Sequence, residues 1–499
     1  MRSLVVLLVV FGACGALPGP GPVVLPPDAG TAPPSLRDHF SSTPLTAVVK
    51  PRVSGAGLRV ARSGDRVLTL TVTRDELGKV SKRLVATTGD QEVWAFEEGL
   101  EEQFNDFAVH PSGEITLGLE RRGATSDAFD LLRLSAEGQL LHRQALARPS
   151  TIPASDQPAP FLMKGVPNGS VVTGWLPWLE VEANGEHVVV GLLSRVDRHE
   201  AVLVSGLISL TWNGAFVERW ARIVDGPHAM ISIAWQYDDF LWLDAATRLL
   251  VTVAADGSVV VGRTLGNGRC TSVAQTFHEL TVAQCRAARS HNSPHRYQPF
   301  GFTFFSGEGA RLRTGLLAPQ ELEEFVIFDM DVRGEEVAVA GTAVRLGANG
   351  EPAFYFEPPG ATSSTPLSPY DGYLAVVKPD GTVHDERFVD LGRGDYFSAI
   401  SWTDEGLVAV GGSDWNRWYG GMSLSRGSQP VLVLAPLDGS PLLQRTLPVE
   451  PRDRHTHLLD VVMRGNELIA VGPADAPMTH SGDAAVAPMA MGSLRLSLP

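Results

Sequence analysis

The chain has 499 residues, with 41 basic against 56 acidic side chains and a formal charge of −15. That balance argues against nucleic acid as a partner and against electrostatic binding to anionic lipid. With 44% apolar residues and a mean hydropathy of +0.03, the bulk of the chain reads as globular rather than disordered. It opens with Met1, Arg2 and Ser3, then an apolar run of eight residues from Leu4 to Phe11, then Gly12, Ala13, Cys14 and Gly15. A short positive start, an apolar stretch and small residues behind it make a secretory signal. Eight residues reach only about 12 Å as a helix, against a bilayer core of ~30 Å, so cleavage is expected rather than retention as a span. No later stretch approaches the ~20 uninterrupted apolar residues that a spanning helix needs.

Phe11-Gly12-Ala13-Cys14 resembles the lipobox of bacterial lipoproteins, with Phe11 where Leu is usual. The resemblance implies cleavage after Ala13 and acylation of Cys14, palmitate included, which anchors the chain to a membrane of the cell envelope. Several acyl chains on one residue hold a soluble domain firmly where a single chain does not. Gly15 rather than Asp after the cysteine favours the outer membrane under the lipoprotein sorting rule. The alternative is an ordinary secretory signal cut after Gly15 or Ala16, giving a secreted or periplasmic soluble protein.

With Cys14 set aside, the remaining cysteines, Cys270 and Cys285, form an even pair in a compartment that permits disulfides. A bridge between them would close a loop of 15 residues, for which chain entropy gives about 3 kcal/mol. Metal binding by the pair is the weaker reading, because no CxxC or nearby CxxH accompanies it. From Leu17 to Pro51 the chain is loaded with proline, glycine and small polar residues. Proline fixes φ and removes backbone donors, so an extended tether is expected there. The expected domains are thus a signal peptide over 1–13, a lipidated cysteine with its tether over 14–50, and a folded domain over 51–499. Loss of Arg2 with the signal takes the basic residues from 41 to 40 and the charge to −16.

The body repeats one pattern. Its first element is a turn followed by alternating small and branched residues that end in glycine. Copies are Ser112 to Gly118, Asn184 to Gly191, Gly334 to Gly341, Glu405 to Gly411 and Gly465 to Gly472. Each reads as a turn leading into a short strand. The second element is an apolar strand, a Gly-centred turn and a return strand, as in Leu131 to Leu146, Leu207 to Ile223, Tyr373 to Val389 and Val431 to Leu447. Asn-Gly and Asp-Gly between β-rich runs are strong hairpin signals.

The glycines closing the first element fall at 118, 191, 341, 411 and 472, so one copy is disguised in the 150-residue gap. Ala255 to Gly262 could fill it, or could be a second-element hairpin built on Leu249 to Val253. Ser63 to Leu70 suggests a further unit at the start. About seven units of four short strands, within a range of six to eight, predict an all-β single β-propeller with long inter-strand loops. A sandwich would want fewer strands, and a solenoid shorter and more regular repeats.

The run Asp371-Gly372-Tyr373-Leu374-Ala375-Val376-Val377-Lys378-Pro379-Asp380-Gly381 resembles the repeats of bacterial extracytoplasmic β-propeller proteins, and Phe397 to Gly412 continues that pattern. The resemblance is close over 324–472 and looser elsewhere. It implies fold and compartment, and carries no common activity and no catalytic positions.

No nucleophile elbow, HExxH, phosphate-cradling glycine loop, EF-hand loop or paired CxxC occurs. No catalytic residue, metal or cofactor is therefore assigned. His455-x-His457, with Asp453 and Asp460 nearby, places ligand types on one face of a strand, although solvated loop histidines are the commoner outcome. His291-x-x-x-His295 lies in a Ser/Asn/Pro-rich stretch where helical spacing would not apply. Trp415, Trp418 and Tyr419 stand among polar residues and glycines, and Trp175 with Trp178 forms a second aromatic cluster. Such aromatics suit stacking on sugar rings or anchoring a protein partner; the competing role is to cap the ends of blades. Trp212, Trp220, Trp235, Trp242 and Trp402 fall in expected strands and are read as core. The leading expectation is a binding or scaffolding module for a protein or glycan partner. Its rivals are a propeller enzyme acting on an exported substrate or polysaccharide, and a scaffold in envelope assembly.

Overall fold

A computed structural model describes residues 35–41, 48–50, 56–74, 80–89, 91–97, 102–121, 128–147, 149, 179–197, 202–229, 249–264, 300–317, 319, 322–345, 355–356, 366–367, 370–391, 394–413, 429–447, 458–464, 467–474 and 492–498. The first elements are a short helix, α1 (Leu36–Ser41), and a short strand, β1 (Val48–Lys50).

Six four-stranded sheets then follow in order. The first is β2 (Ala56–Ser63), β3 (Arg66–Arg74), β4 (Val80–Thr88) and β5 (Gln91–Phe96); the second is β6 (Glu102–Val109), β7 (Ile115–Arg121), β8 (Ala128–Leu134) and β9 (Leu140–Ala147). The third is β10 (Leu179–Asn184), β11 (His187–Asp197), β12 (Val202–Trp212) and β13 (Phe216–Ala229); the fourth is β14 (Leu250–Val253), β15 (Val259–Thr264), β16 (Phe300–Phe305) and β17 (Arg311–Leu317).

The fifth sheet holds β18 (Leu322–Arg333), β19 (Glu336–Arg345) and, beyond a two-stranded excursion of β20 (Tyr355–Phe356) and β21 (Pro366–Leu367), β22 (Tyr370–Val377) and β23 (Val383–Val389). The sixth is β24 (Tyr396–Thr403), β25 (Gly406–Ser413), β26 (Gln429–Ala435) and β27 (Leu443–Thr446). A seventh four-stranded sheet joins the two ends of the chain. It takes β28 (Asp460–Arg464), β29 (Glu467–Ala474) and β30 (Gly492–Leu498) from one end and β1 from the other, in the order β1-β30-β29-β28.

All pairings within these sheets are antiparallel, and the first strands β2, β6, β10, β14, β18, β24 and β28 touch one another in a closed circle. Those strands therefore line the axis of a β-propeller, the fold the repeats predict. Its core lies between blades. All eight residues of β22 are buried, whereas the outer strand β9 is largely half-buried or exposed.

The glycine that closes the repeated element has a steric cause. A Cβ on Gly341 would lie 1.9 Å from the carbonyl oxygen of Val326, and one on Gly411 would lie 2.0 Å from that of Tyr396. In both blades the first strand bulges opposite the glycine, between Ile327 and Asp329 and between Phe397 and Ala399, and pushes a carbonyl into the space a side chain would take. The ambiguous stretch near residue 255 is settled as well. β14 and β15 are the first hairpin of the fourth blade, so Ala255 to Gly262 is a copy of the first element.

Two expectations need correction. The composition of 14–50 predicts a tether, yet α1 docks on the sixth blade and β1 completes the seventh, so 36–41 and 48–50 belong to the folded body. Proline is absent from 35 to 43, and Leu36 and Phe40 recur at helical spacing with exposures of 1% and 2%, which gives that stretch an apolar face to bury. Of the tryptophans read as core, Trp220 is buried, whereas Trp212 and Trp402 are half-buried, and Arg333 lies 4.5 Å over the Trp402 ring. Trp235 and Trp242 lie outside the described residues.

Candidate functional site at the propeller axis

The ends of the strands divide the connections into two sets. One face carries the first-to-second and third-to-fourth strand turns, none longer than seven residues. Hydrogen bonds between blades 1 and 2, 2 and 3, 3 and 4, and 5 and 6 tie these turns together. Ser63 Oγ donates to Gly113 O at 3.1 Å, His110 Nδ1 to Gly185 O at 2.8 Å, Asn184 Nδ2 to Val253 O at 3.3 Å, and Arg333 Nη1 to Thr403 O at 3.1 Å. The opposite face receives the remaining connections, among them 148–178, 230–249, 265–299, 346–369, 414–428 and 475–491. Trp175, Trp178, Trp415, Trp418, Tyr419, Cys270, Cys285, His291 and His295 all fall in connections of this set and lie outside the described residues, as do Cys14, His455 and His457.

What the described residues bring together is a charged cluster that sequence reasoning missed. Arg59 on β2 donates through Nη2 to Glu182 Oε1 at 2.8 Å and through Nη1 to Glu180 Oε2 at 3.5 Å, both on β10, and also pairs with Asp106 on β6. Blades 1 and 3 are not neighbours, so the Arg59 side chain crosses the space between first strands to reach its partners. Asp460 on β28 closes the group, its Oδ2 accepting the Val60 amide at 2.8 Å. Asp106 spends its second oxygen in the same way on the Val181 amide, also at 2.8 Å. The aspartates therefore stitch first strand to first strand as well as holding the guanidinium.

Four carboxylates surround one guanidinium, two of them, Asp106 and Glu180, buried, and the excess negative charge has to be relieved. Burial pulls Arg59 down, but Asp106, Glu182, Asp460 and Glu180 outweigh it and hold the guanidinium well above its ordinary value. Burial pushes Glu182 up, Arg59 draws it back, and Asp106 and Asp460 add to the rise, leaving it at about 7. The Glu182 side chain keeps 30% of its surface accessible, so a proton can reach it. A carboxyl that titrates near neutrality on the axis of a ring can bind a cation or exchange a proton with a bound molecule.

Alternation in Leu179-Glu180-Val181-Glu182, two glutamates on one face of a strand that opens on a buried leucine, was the one local signal for this site. Asp460 was noted only for its nearness to the histidines. Arg59 carried no signal, because its meaning depends on which blades the ring brings together.

A second polar group lies between blades 2 and 3 at the turn face. Arg133, 2% exposed, pairs with Glu114 and contacts His110 Nε2, and it sits 5.2 Å over the Trp212 ring. His110 Nδ1 faces the Gly185 carbonyl at 2.8 Å and must carry the proton, which leaves Nε2 as acceptor towards Thr116 Oγ1 at 2.7 Å. Burial, with Arg133 close by, brings His110 down to about 4. The group is wedged between blades and joins them. Among the described residues no group of three His, Cys, Asp or Glu stands close enough to hold a metal, and no helix is long and apolar enough to cross a membrane.

No protein family and no curated protein matches the chain. Among solved structures it is similar to the β-propeller domain of the trilobed protease from Pyrococcus furiosus, at 9% identity and a TM-score of 0.39 over 84% of this chain and 91% of that one. It is also similar to a protein of unknown function from Bacteroides caccae, at 10% identity and a TM-score of 0.32 over 69% and 86% of the two chains. Phage phi92 endosialidase gives 7% identity and a TM-score of 0.39 over 91% and 68%. At such identities the likeness is one of fold alone. The class stands on the strand order itself: a β-propeller closed by its two chain ends.

Proposed function

We propose that this chain is a lipid-anchored extracytoplasmic β-propeller that serves as a binding or scaffolding module for a protein or glycan partner. The observation that carries the reading is the division between its faces. One is a rim of turns knitted together by hydrogen bonds between blades; the other receives every long connection. Binding surfaces are built on connections held by a rigid scaffold. The aromatic residues Trp175, Trp178, Trp415, Trp418 and Tyr419 belong to connections of that second face. The anchor reading rests on the apolar start and on Cys14.

Two experiments test it. Metabolic labelling with a palmitate analogue should mark wild type and not Cys14→Ala; label persisting in the variant, or never appearing, removes the anchor. Glycan and peptide arrays probed with the chain from residue 35 onward should show ligands that Trp415→Ala/Trp418→Ala/Tyr419→Ala loses. Equal binding by both forms would remove these aromatics from the reading.

The axial cluster favours a second reading, a propeller enzyme acting on an exported substrate or polysaccharide, with Glu182 exchanging the proton. Turnover abolished by Glu182→Gln, with ligand binding retained, would decide for it.

A further inference from the structure

The ring is closed by a small contact. β1 meets β30 through three residue pairs, Val48 with Arg495, Val49 with Leu494 and Lys50 with Ser493, whereas β29 meets β30 through seven. If the chain is anchored at Cys14, any pull between membrane and propeller arrives along the chain at β1 from its amino-terminal side. A three-residue strand at a sheet edge would be peeled first.

The pull reaches α1 before it reaches β1, and α1 is fastened far more firmly than six residues of helix require. The amides of Leu36 and Arg37 donate to the two carboxylate oxygens of Glu405, at 2.6 and 3.1 Å. The Arg37 guanidinium reaches across the same end of blade 6 to Asp438 at 2.7 Å and Ser440 Oγ at 3.3 Å. At the other end of the helix, Arg445 Nε donates to the Phe40 carbonyl at 2.6 Å. Between these ties Leu36 and Phe40 enter the core of blade 6 beside Leu434 and Leu447. A helix this short is not stable alone, so its order comes from this seat.

We infer that α1 is a strap: it fastens the anchored segment to blade 6, so that tension ends there and the ring-closing strand β1 is left unloaded. The inference deepens the lipid-anchor reading, which supplies the tension, but the strap itself can be tested without lipid. Glu405, Asp438 and Ser440 all lie in turns of one face, so the strap also fixes the side of the propeller from which the anchored segment departs. That side is the turn face, opposite the long connections.

The test is to pull single molecules of the unlipidated chain from residue 14 and from the carboxyl terminus, and to follow amide exchange in 36–50 without load. Wild type should show a first small rupture that releases the strap, followed by a separate event that opens the ring. In Leu36→Ala/Phe40→Ala the first rupture should vanish, so that load reaches β1 from the start and the ring opens at the force of the second wild-type event. Exchange at the Leu36 and Arg37 amides should rise roughly 10³-fold, as the loss of two buried apolar side chains implies. Glu405→Gln, which leaves the apolar seat intact, should lower the first rupture force without abolishing it.

One rupture releasing both elements together in wild type, or an unchanged force in both variants, overturns the strap. Absence of palmitate on Cys14 with the two-step rupture intact would instead remove the source of tension and leave the strap standing.

Discussion

A Cβ placed on Gly309 would lie 2.6 Å from Cγ of Trp220, at a position where φ is +75°. Trp220, on the outer strand of blade 3, lies against the 306–310 turn of blade 4 and donates through its indole nitrogen to the Gly307 carbonyl at 2.9 Å. Trp94 does the same between blades 1 and 2, with Nε1 on the Ala136 carbonyl at 3.1 Å and its ring 2.5 Å from where a Gly138 side chain would begin. The outer strand of one blade clasps the last turn of the next. Gly309→Ala should therefore cost about 2–4 kcal/mol, combining left-handed backbone strain with overpacking. Gly214→Ala, at φ +96° with nothing within 4 Å, should cost only the strain, about 1–2 kcal/mol. Urea denaturation of both variants checks the difference; equal losses would deny the clasp.

Arg59 is the one described cation among four carboxylates at the axis. Arg59→Met should destabilise by about 3–5 kcal/mol at pH 7, because it strands buried charge. It should also raise the Glu182 carboxyl further, since Arg59 is the group that draws it down. The loss should shrink at pH 5, where protonation relieves the repulsion. A loss independent of pH would mean that the guanidinium acts through packing alone.

Glu182 and His110 predict opposite slopes of stability with pH. Glu182 binds its proton more tightly folded, at about 7, than unfolded, at its ordinary 4.5. Its contribution is present below pH 4.5 and is lost as pH rises through 7. His110 binds its proton less tightly folded, at about 4 against 6.5. Its contribution, up to about 3 kcal/mol, is present above pH 6.5 and is lost as pH falls towards 4. Between pH 4.5 and 6.5 the two oppose each other. Glu182→Gln should unmask a rise of stability with pH, and His110→Gln a fall, by denaturant titration at fixed pH steps. The same slope in both variants would contradict the protonation states assigned here.

Much of the fold was legible in the sequence because a propeller repeats its local chemistry. Asp380-Gly381 and Asp438-Gly439 sit in real hairpin turns, with positive φ at both glycines, and Gly341 and Gly411 lie within the second strand where a bulged neighbour leaves no room. The fifth and sixth blades were read most closely because there the turns and closing glycines fall at nearly regular intervals. α1 was missed because a proline-rich neighbourhood masked Leu36 and Phe40, whose seat on Leu434 and Leu447 lies some 400 positions away. The axial cluster was missed for the same reason. Arg59, Asp106, Glu182 and Asp460 span four blades, and only closure of the ring makes them neighbours. Local pattern specified the blades; contacts made by closure were outside its reach.

On the proposed function, the propeller works through the face opposite its turns. Photo-crosslinking residues placed in living cells at Trp175 and Trp415, against Asp256 and Glu308 on the turn face, test it most directly. Partner adducts are expected from Trp175 or Trp415 and none from Asp256 or Glu308. Adducts confined to the turn face would contradict it.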